Sequence, residues 1–321
     1  MYVAFRAAPP RTEEYFRGVG KSGFELSSIK RAAGHVIRPY PVRDLPTGEY
    51  LELPGRGTTY ITDSGPKDGP VLFLLHSVST TGLLCWYPVI PELNSTYRVI
   101  TIDHRWHGRG IRSDDFSLDD CADDAVAVAD ALGIDSFIAA GFSMGGGIAQ
   151  LAWRRHADRV GGLVLCSTGP FFSSHDPENL AVDMRVASVA QRLDRYLPVP
   201  TERRLNDTTG RHPFGWAMAQ VLSTPLTKLG QFSEAMAVFD SRDWLGEVNI
   251  PTSVVVSTRD KVVPPQRQEL LLNGIPDAQF FGVDGGHACC VVGAERFVPN
   301  FVDAVDSVAQ RSLAARPIIL G

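Results

Sequence analysis

The chain has 321 residues, of which 44% are hydrophobic and 21% are charged, which predicts a soluble globular protein with one large α/β domain and an insertion. Its formal net charge of −5 and its lack of a long basic block argue against a nucleic-acid partner. No stretch approaches the ~20 apolar residues that a membrane span needs.

The N-terminal residues and the cysteines bear on where the protein acts. Residues 1–48 show no sustained periodicity and are interpreted as an N-terminal extension. Met1–Pro10 has one arginine and no apolar core of signal-peptide length, so export by that route is not expected. The five cysteines form an odd number without metal-ligand spacing, which predicts reduced thiols in a cytoplasmic protein. They are Cys85, Cys121, Cys166, Cys289 and Cys290.

From about residue 50 the sequence alternates between short apolar runs and helical segments. The runs EYLELPG and TTYITDSG are separated by turn residues and predict a hairpin. Six further runs are continuous and apolar, which is typical of strands buried on both faces of a mostly parallel sheet. They are VLFLLHS, YRVITID, SFIAAG, GGLVLCS, TSVVVST and AQFFGVDG.

Helices are predicted between several of these strands. Ser117 and Asp120 form a capping-box pattern that opens a helix closed by Gly133. Residues 144–156 and 295–310 also suit helices. An acidic run at the start of the first helix is explained by dipole compensation and solvation better than by a metal site. It comprises Asp114, Asp115, Asp119, Asp120, Asp123 and Asp124. The alternation of strands and helices predicts an open α/β sheet.

Residues 170–245 interrupt this alternation. The stretches ENLAVDMRVASVAQRLDRYL and GQFSEAMAVFDSRDWL have a helical pattern, with proline-rich breaks between them. An all-helical insertion between two core strands predicts a cap, and the alternative is extra packing at the sheet edge. Large apolar residues of this insertion are candidates for an acyl pocket, although most residues of this kind belong to a core. They are Trp216, Met218, Phe232, Met236 and Phe239.

One motif predicts the chemistry of the protein. Residues 141–145, GFSMG, have the pattern G-x-S-x-G between a predicted strand and a predicted helix. A tight strand-to-helix turn there exposes Ser143, and Gly141 and Gly145 allow neighbouring backbone to approach closely. The start of the helix directs free N–H groups, including that of Met144, toward a reacting oxygen. Ser143 is therefore the candidate nucleophile.

A serine hydroxyl needs a base to become a nucleophile at neutral pH. His287 follows the last predicted strand on a Gly-Gly turn, and Asp260 ends the preceding strand. A carboxylate in that position can hold the imidazole in one tautomer and stabilise its charged form. The chain order Ser143, Asp260, His287 and the position of all three at carboxyl ends of strands suit a catalytic triad on an open α/β sheet.

These motifs resemble those of α/β-hydrolases with a helical cap, over roughly residues 50–310. The stretch IDHRWHGRG is similar to the family pattern D-x-R-G-x-G-x-S, although Trp106 and His107 stand where glycine is common. The resemblance implies an α/β-hydrolase fold with a mostly parallel central sheet flanked by helices. The core would comprise residues 49–169 and 246–321, and the helical cap residues 170–245.

The loop after VLFLLHS departs from the family pattern, because His76 is followed by Ser77 where the family usually has glycine. The resemblance implies that His76 is structural and that the Val78 amide is the second donor to the oxyanion, with Met144. Since the donor is a backbone N–H, Ser77 preserves the site if its φ is accessible to a residue with a Cβ. The stretch HSVSTTGLLCW is also similar to the loop of enol-lactone hydrolases.

The resemblance implies a serine hydrolase that cleaves a small carboxylic ester or lactone through an acyl-enzyme. The serine disfavours the dehalogenase and epoxide hydrolase branches, which use aspartate. C–C bond hydrolysis, acyl transfer, perhydrolysis and a non-catalytic ligand-binding role remain as alternatives. No cofactor is predicted, and no metal, because His104 and His107 lack the carboxylate-bearing helix of an H-x-x-H metal site. A small-molecule substrate is the expected partner, and homodimerisation is left open.

Overall fold

An eight-stranded sheet lies at the centre of the described residues in this computed structural model. Its strands are β1 (Glu49–Leu53), β2 (Gly57–Ser64), β3 (Val71–Leu75), β4 (Arg98–Ile102), β5 (Phe137–Phe142), β6 (Val160–Cys166), β7 (Thr252–Ser257) and β8 (Gln279–Val283). They are arranged in the order β1-β2-β4-β3-β5-β6-β7-β8. β2 runs antiparallel to both of its neighbours, and every other adjacent pair is parallel. The predicted hairpin and the predicted mostly parallel sheet are confirmed.

The structure describes residues 40–42, 45–172, 197, 199–207 and 213–314. The predicted N-terminal extension, residues 1–48, therefore lies almost entirely outside the described residues. The helix predicted for ENLAVDMRVASVAQRLDRYL also lies outside them, apart from its last residue. The division into a core and a cap at residues 170–245 stays a prediction.

The continuous apolar runs result from burial of the sheet on both faces. In β3, Phe73 and Leu75 belong to one hydrophobic cluster, whereas Leu72 and Leu74 belong to the other. All four side chains are fully buried. Because successive side chains of a strand point to opposite faces, a strand covered on both sides has no polar positions in its pattern.

The helices cover both faces of this sheet. The cluster of Phe73 includes residues from α3, α4 and α8, and the cluster of Leu74 includes residues from α1, α2 and α9. No helix in the described ranges is both long and apolar enough to cross a membrane. The helices are α1 (Gly82–Trp86), α2 (Ile90–Leu93), α3 (Leu118–Ala131), α4 (Met144–Arg155), α5 (Glu202–Leu205), α6 (Pro213–Leu222), α7 (Leu229–Ala237), α8 (Pro265–Gly274) and α9 (Ala294–Ala314).

Local capping explains where α3 begins and ends. The Ser117 hydroxyl accepts a hydrogen bond from the Asp120 amide at 3.0 Å, which satisfies one of the free N–H groups of the first turn. Gly133 follows the helix with a φ of +64°, a conformation that glycine adopts without steric cost. The capping pattern predicted from the sequence is confirmed.

One predicted helix is interrupted in the structure. The stretch GQFSEAMAVFDSRDWL forms α7, which ends at Ala237, and then a 3₁₀ helix at Arg242–Glu247. Between them Asp240 forms an isolated bridge with Phe171, and its carboxylate accepts a hydrogen bond from the Arg242 amide at 3.0 Å. Asp240 therefore contacts a distant segment of the chain in an extended conformation, and the helical pattern does not continue through it.

The acidic residues of α3 have two different roles. Asp119 is exposed and pairs with Arg155 at 3.0 Å, as expected for a solvated helix start. Asp124, in contrast, is buried, and its carboxylate binds Arg105 at 2.6 and 2.9 Å and Arg56 at 2.6 Å. The prediction that solvation and the helix dipole explain the whole run is therefore wrong for Asp124. Its carboxylate connects α3 to the β1–β2 turn and to the loop after β4.

Removing the charge of Asp124 should destabilise the fold much more than removing that of Asp119. In Asp124→Asn two guanidinium groups lose a buried carboxylate, which should lower the free energy of unfolding by roughly 3 kcal/mol. In the matched control Asp119→Asn an exposed pair is lost, at a cost of less than about 1 kcal/mol. Urea unfolding followed by circular dichroism measures both, and equal losses in the two variants would contradict this role of Asp124.

Candidate active site

Ser143 occupies the turn between β5 and α4 in a backbone conformation that few non-glycine residues adopt. Its φ is 54° and its ψ is −117°. The Ser143 amide donates to the Cys166 carbonyl at 2.9 Å, and its carbonyl accepts from the Thr168 hydroxyl and from the Gly146 amide, both at 2.8 Å. These bonds hold the strained residue in place from the neighbouring strand β6 and from α4.

The glycines of the motif are required by the close packing of this turn. A Cβ at position 141 would lie 2.1 Å from the Gly145 carbonyl oxygen, and a Cβ at position 145 would lie 2.1 Å from the Leu75 carbonyl oxygen. Both distances are far below van der Waals contact, so any side chain there would force α4 away from β5 or from β3. The G-x-S-x-G pattern therefore follows from the geometry of the turn.

The structure brings Ser143, His287 and Asp260 together in one hydrogen-bonded chain. His287 Nε2 lies 2.9 Å from Ser143 Oγ, and His287 Nδ1 lies 2.7 Å from Asp260 Oδ2. His287 and Asp260 lie in the loops that follow β8 and β7, so the three side chains meet at the carboxyl edge of the sheet. In this arrangement Nδ1–H donates to the carboxylate, which leaves Nε2 free to accept the serine proton.

The Asp260 carboxylate is held by groups other than His287. Its Oδ1 atom accepts the amides of Val262 and Val263 at 2.8 and 2.9 Å, and its Oδ2 atom accepts the Gln268 side-chain amide at 3.3 Å. The side chain of Asp260 has no exposed surface, whereas that of His287 is 21% exposed. The carboxylate can therefore orient the imidazole without rotating toward solvent.

Ser77 does not need the conformational freedom of glycine. It is absent from the described non-glycine residues with a positive φ, and the left-handed position of the loop is taken by Ser79, with a φ of 56°. The Ser77 carbonyl accepts hydrogen bonds from His76 Nδ1 at 2.7 Å and from the Thr80 hydroxyl at 2.8 Å. The φ of Ser77 is therefore accessible to a residue with a Cβ, and the strained residue of this loop is Ser79.

The fixed Ser77 carbonyl also sets the direction of the Val78 amide. In a trans peptide the C=O and N–H groups point in opposite directions, so the Val78 N–H points away from His76 and Thr80. Among the described residues, no hydrogen-bond acceptor is found for the amide of Val78 or for that of Met144. Both N–H groups are therefore available to a ligand, and their role as oxyanion donors stays a prediction.

Three buried histidines lie behind this loop. His76 Nε2 accepts the His104 amide at 2.9 Å, so His76 connects the loop after β3 to the loop after β4. The ring of His107 stacks on Phe232 with centroids 4.3 Å apart, and its Nδ1 donates to the Arg105 carbonyl at 2.8 Å. Burial lowers the pKa of His104 to about 3 and that of His107 to about 4, and it holds the pKa of His76 well below its usual value. All three rings are therefore neutral at pH 7.

A cavity of about 740 Å³ opens beside Ser143 and His287. Ser77 and Val78 line it on the side of the loop after β3. Of the five large apolar residues considered for an acyl pocket, Met236 lines this cavity. Trp216, Phe232 and Phe239 are buried in hydrophobic clusters, as expected for most residues of this kind, and Met218 is exposed. None of these four is among the described residues that line the cavity.

The cavity also contains residues that the sequence did not single out. Lys261 and Arg267 line it from the Asp260 loop and from α8, and Cys85 and Cys290 line it from α1 and from the turn after His287. Burial raises the pKa of the Cys290 thiol well above its usual value, which makes this cysteine a poor nucleophile. The sequence signal for Arg267 is its position at the start of the helix that follows Asp260, two residues after Pro265.

Comparison with known proteins places this geometry in a family. A sequence model described as alpha/beta hydrolase fold matches residues 70–214. The chain is 25% identical to 3-oxoadipate enol-lactonase 1 of Acinetobacter baylyi over 256 residues, which cover 78% of the chain and 94% of that protein. It is 30% identical to the putative carbamate hydrolase RutD of Rhizobium rhizogenes over 226 residues, which cover 66% and 84% of the two chains.

A solved structure agrees with these matches. The structure of a thermophilic esterase from Thermogutta terrifontis, with malate bound, superposes with a TM-score of 0.66 at 26% identity. The superposition covers 82% of the chain and 99% of the esterase chain.

Acid should destabilise the fold through the buried histidines. The folded pKa values of His104 and His107 lie below the unfolded value of 6.5, so the unfolded chain takes up these protons first as the pH falls. The stability present at pH 7 is therefore lost from about pH 6.5 toward pH 4, at about 1.4 kcal/mol per pH unit for each histidine. Urea unfolding at a series of pH values measures this slope.

The variant His107→Phe keeps an aromatic ring against Phe232 and removes one titrating group. Its unfolding free energy should fall less steeply between pH 6.5 and pH 4.5, by about 1.4 kcal/mol per pH unit. An unchanged slope in this variant would show that His107 is not buried in its neutral form.

Proposed function

The chain belongs to the α/β-hydrolase family, and from this premise we propose that it is a serine hydrolase that cleaves a small carboxylic ester or lactone. The observation that carries the proposal is the hydrogen-bonded chain from Ser143 Oγ through His287 to the buried Asp260 carboxylate, at 2.9 and 2.7 Å. In this hydrogen-bonded arrangement His287 is the base that a serine nucleophile needs. Ser143 and His287 line a cavity that is large enough for a small substrate.

In the first step Ser143 Oγ attacks the carbonyl carbon of the bound substrate while His287 Nε2 takes the hydroxyl proton. Asp260 stabilises the imidazolium that forms, because its carboxylate already accepts the Nδ1–H. The negative charge that develops on the carbonyl oxygen is stabilised by the N–H groups of Val78 and Met144. One oxyanion donor typically contributes about 10²–10³-fold to the rate.

In the second step His287 gives its proton to the leaving alkoxide, and the acyl group stays on Ser143. Water then enters, loses a proton to His287 and attacks the acyl carbon. When this second intermediate collapses, His287 returns the proton to Ser143 Oγ, which releases the carboxylic acid and restores the serine hydroxyl. In a lactone the alcohol and the acid are parts of one molecule, so the leaving group stays attached to the acyl-enzyme until hydrolysis. The same residues therefore serve both substrate types.

Two of the three similar proteins support an acyl substrate with an oxygen leaving group, and the third is a putative carbamate hydrolase. One curated relative is an enol-lactonase, and a structural neighbour above 25% identity is an esterase. All five cysteines are free and buried, which fits the reducing conditions of the cytoplasm. We therefore extend the proposal to a cytoplasmic enzyme.

A fluorophosphonate probe tests whether Ser143 is an activated nucleophile. The folded wild-type protein should be labelled, because the probe phosphonylates only a serine whose proton is removed by a base. The label should disappear in Ser143→Ala, and the turnover of 4-nitrophenyl esters should fall by about 10⁴-fold or more.

Ser233 provides the matched control, since it also lines the cavity but has no histidine partner among the described residues. Ser233→Ala should be labelled like the wild type. No labelling of the folded wild type, or labelling that persists in Ser143→Ala, would overturn the catalytic role. A panel of esters and lactones of increasing acyl length then identifies the preferred substrate.

A further inference from the structure

We infer that the cavity beside Ser143 binds substrates that carry a carboxylate group, and that Arg267, assisted by Lys261, recognises this group. The inference deepens the proposed function and rests on it, since it assigns the substrate class of the same site. Both cationic side chains line the cavity that contains Ser143 and His287.

The described residues that line the cavity have a net charge opposite to that of the protein. The whole chain has a formal net charge of −5, yet the described residues that line the cavity include Lys261 and Arg267 and no aspartate or glutamate. The nearest carboxylate of the site, Asp260, has no exposed surface and lies behind His287. A concave site lined by one sign of charge attracts ligands of the other sign.

The stem of Arg267 is held in place by close packing. A Cβ at position 169 would lie 2.8 Å from Arg267 Cγ, so the glycine there leaves space for the arginine stem. The guanidinium lies over the ring of Phe171, with Cζ 4.8 Å from the centroid, and Nη1 donates to the Phe172 carbonyl at 2.6 Å. These contacts restrict the guanidinium to one region before any ligand binds.

The Arg267 guanidinium has no carboxylate partner among the described residues. This contrasts with Arg105, a buried arginine that binds Asp124 through two nitrogens. Burial lowers the pKa of Arg267, and no carboxylate in the part of the chain that the structure describes offsets its charge. A half-buried arginine with donors left over is suited to bind a carboxylate through two parallel hydrogen bonds.

Lys261 has a different role from Arg267 in binding the substrate carboxylate. It lies between Asp260 and the two valine amides that bind the Asp260 carboxylate, and its side chain is exposed at the cavity. A flexible ammonium at the entrance attracts an anion without fixing its orientation. Arg267 therefore determines how the carboxylate binds, and Lys261 increases the rate at which it arrives.

A pair of chain-matched esters tests the inference. Mono-4-nitrophenyl pimelate carries a carboxylate at the end of its acyl chain, and 4-nitrophenyl heptanoate has the same chain with a methyl end. The ratio of kcat/KM for the anionic ester to that for the neutral ester should fall by about 10-fold in Arg267→Gln, because a charge-assisted hydrogen-bonded pair is lost. It should fall further when Lys261→Gln is added, and higher salt should lower kcat/KM for the anionic ester alone.

Two further variants control for charge and shape. Arg267→Lys keeps the charge but loses the planar fork, so its ratio should lie between those of the wild type and Arg267→Gln. Arg203→Gln removes one exposed positive charge outside the cavity and should leave the ratio unchanged. A ratio that is the same in the wild type, in Arg267→Gln and in the double variant would overturn the inference.

Calorimetry with pimelate separates this inference from the proposed function, because a dicarboxylate needs no turnover. Pimelate should bind the wild type and bind Arg267→Gln at least about 10-fold more weakly. If the protein hydrolyses no ester and takes no fluorophosphonate label, the proposed function fails, while calorimetry still decides on the anion site. If esters are hydrolysed but pimelate does not bind the wild type, the anion site is wrong and the hydrolase stands.

Discussion

The position of Ser143 depends on backbone contacts that are too close for any side chain. Gly141 and Gly145 let β5, α4 and β3 approach to distances at which a Cβ would overlap a carbonyl oxygen. The serine takes a φ of 54° as a result, and hydrogen bonds from Thr168 and to Cys166 hold it there. Its hydroxyl therefore points out of the sheet toward His287, and the start of α4 lies at the same point.

Asp260, His287 and the loop after β3 lie close to Ser143 because the parallel strands that precede them end at the same edge of the sheet. The loops after β7 and β8 carry Asp260 and His287, and the amides of the Asp260 loop fix the carboxylate before the histidine binds it. The loop after β3 contributes a peptide whose carbonyl is bound by His76 and Thr80. The site is thus preorganised by backbone geometry, and the described residues that line its cavity include two cationic side chains, Lys261 and Arg267.

Much of the fold and of the candidate triad could be predicted because it follows from local patterns. Buried strands appear as continuous apolar runs, and the glycines around Ser143 mark its turn. Asp124 was assigned wrongly because the ion pair that buries it joins residues far apart in the chain. Arg267 was not singled out because its place at the cavity depends on packing against Gly169 and Phe171, which are nearly 100 residues away in the sequence. The predicted helix does not continue through Asp240, because Asp240 forms a bridge with Phe171, which lies in a distant segment of the chain.

If Ser143 is the nucleophile, its hydroxyl becomes acylated during turnover, and this intermediate can be trapped. The protein is mixed with an excess of a 4-nitrophenyl ester, quenched in acid within milliseconds to seconds, and digested for peptide mass spectrometry. We expect an acyl adduct on Ser143 that forms with the first release of nitrophenol and disappears when the ester is exhausted. Turnover without any adduct on Ser143, or an adduct on another residue that forms at the turnover rate, would contradict it.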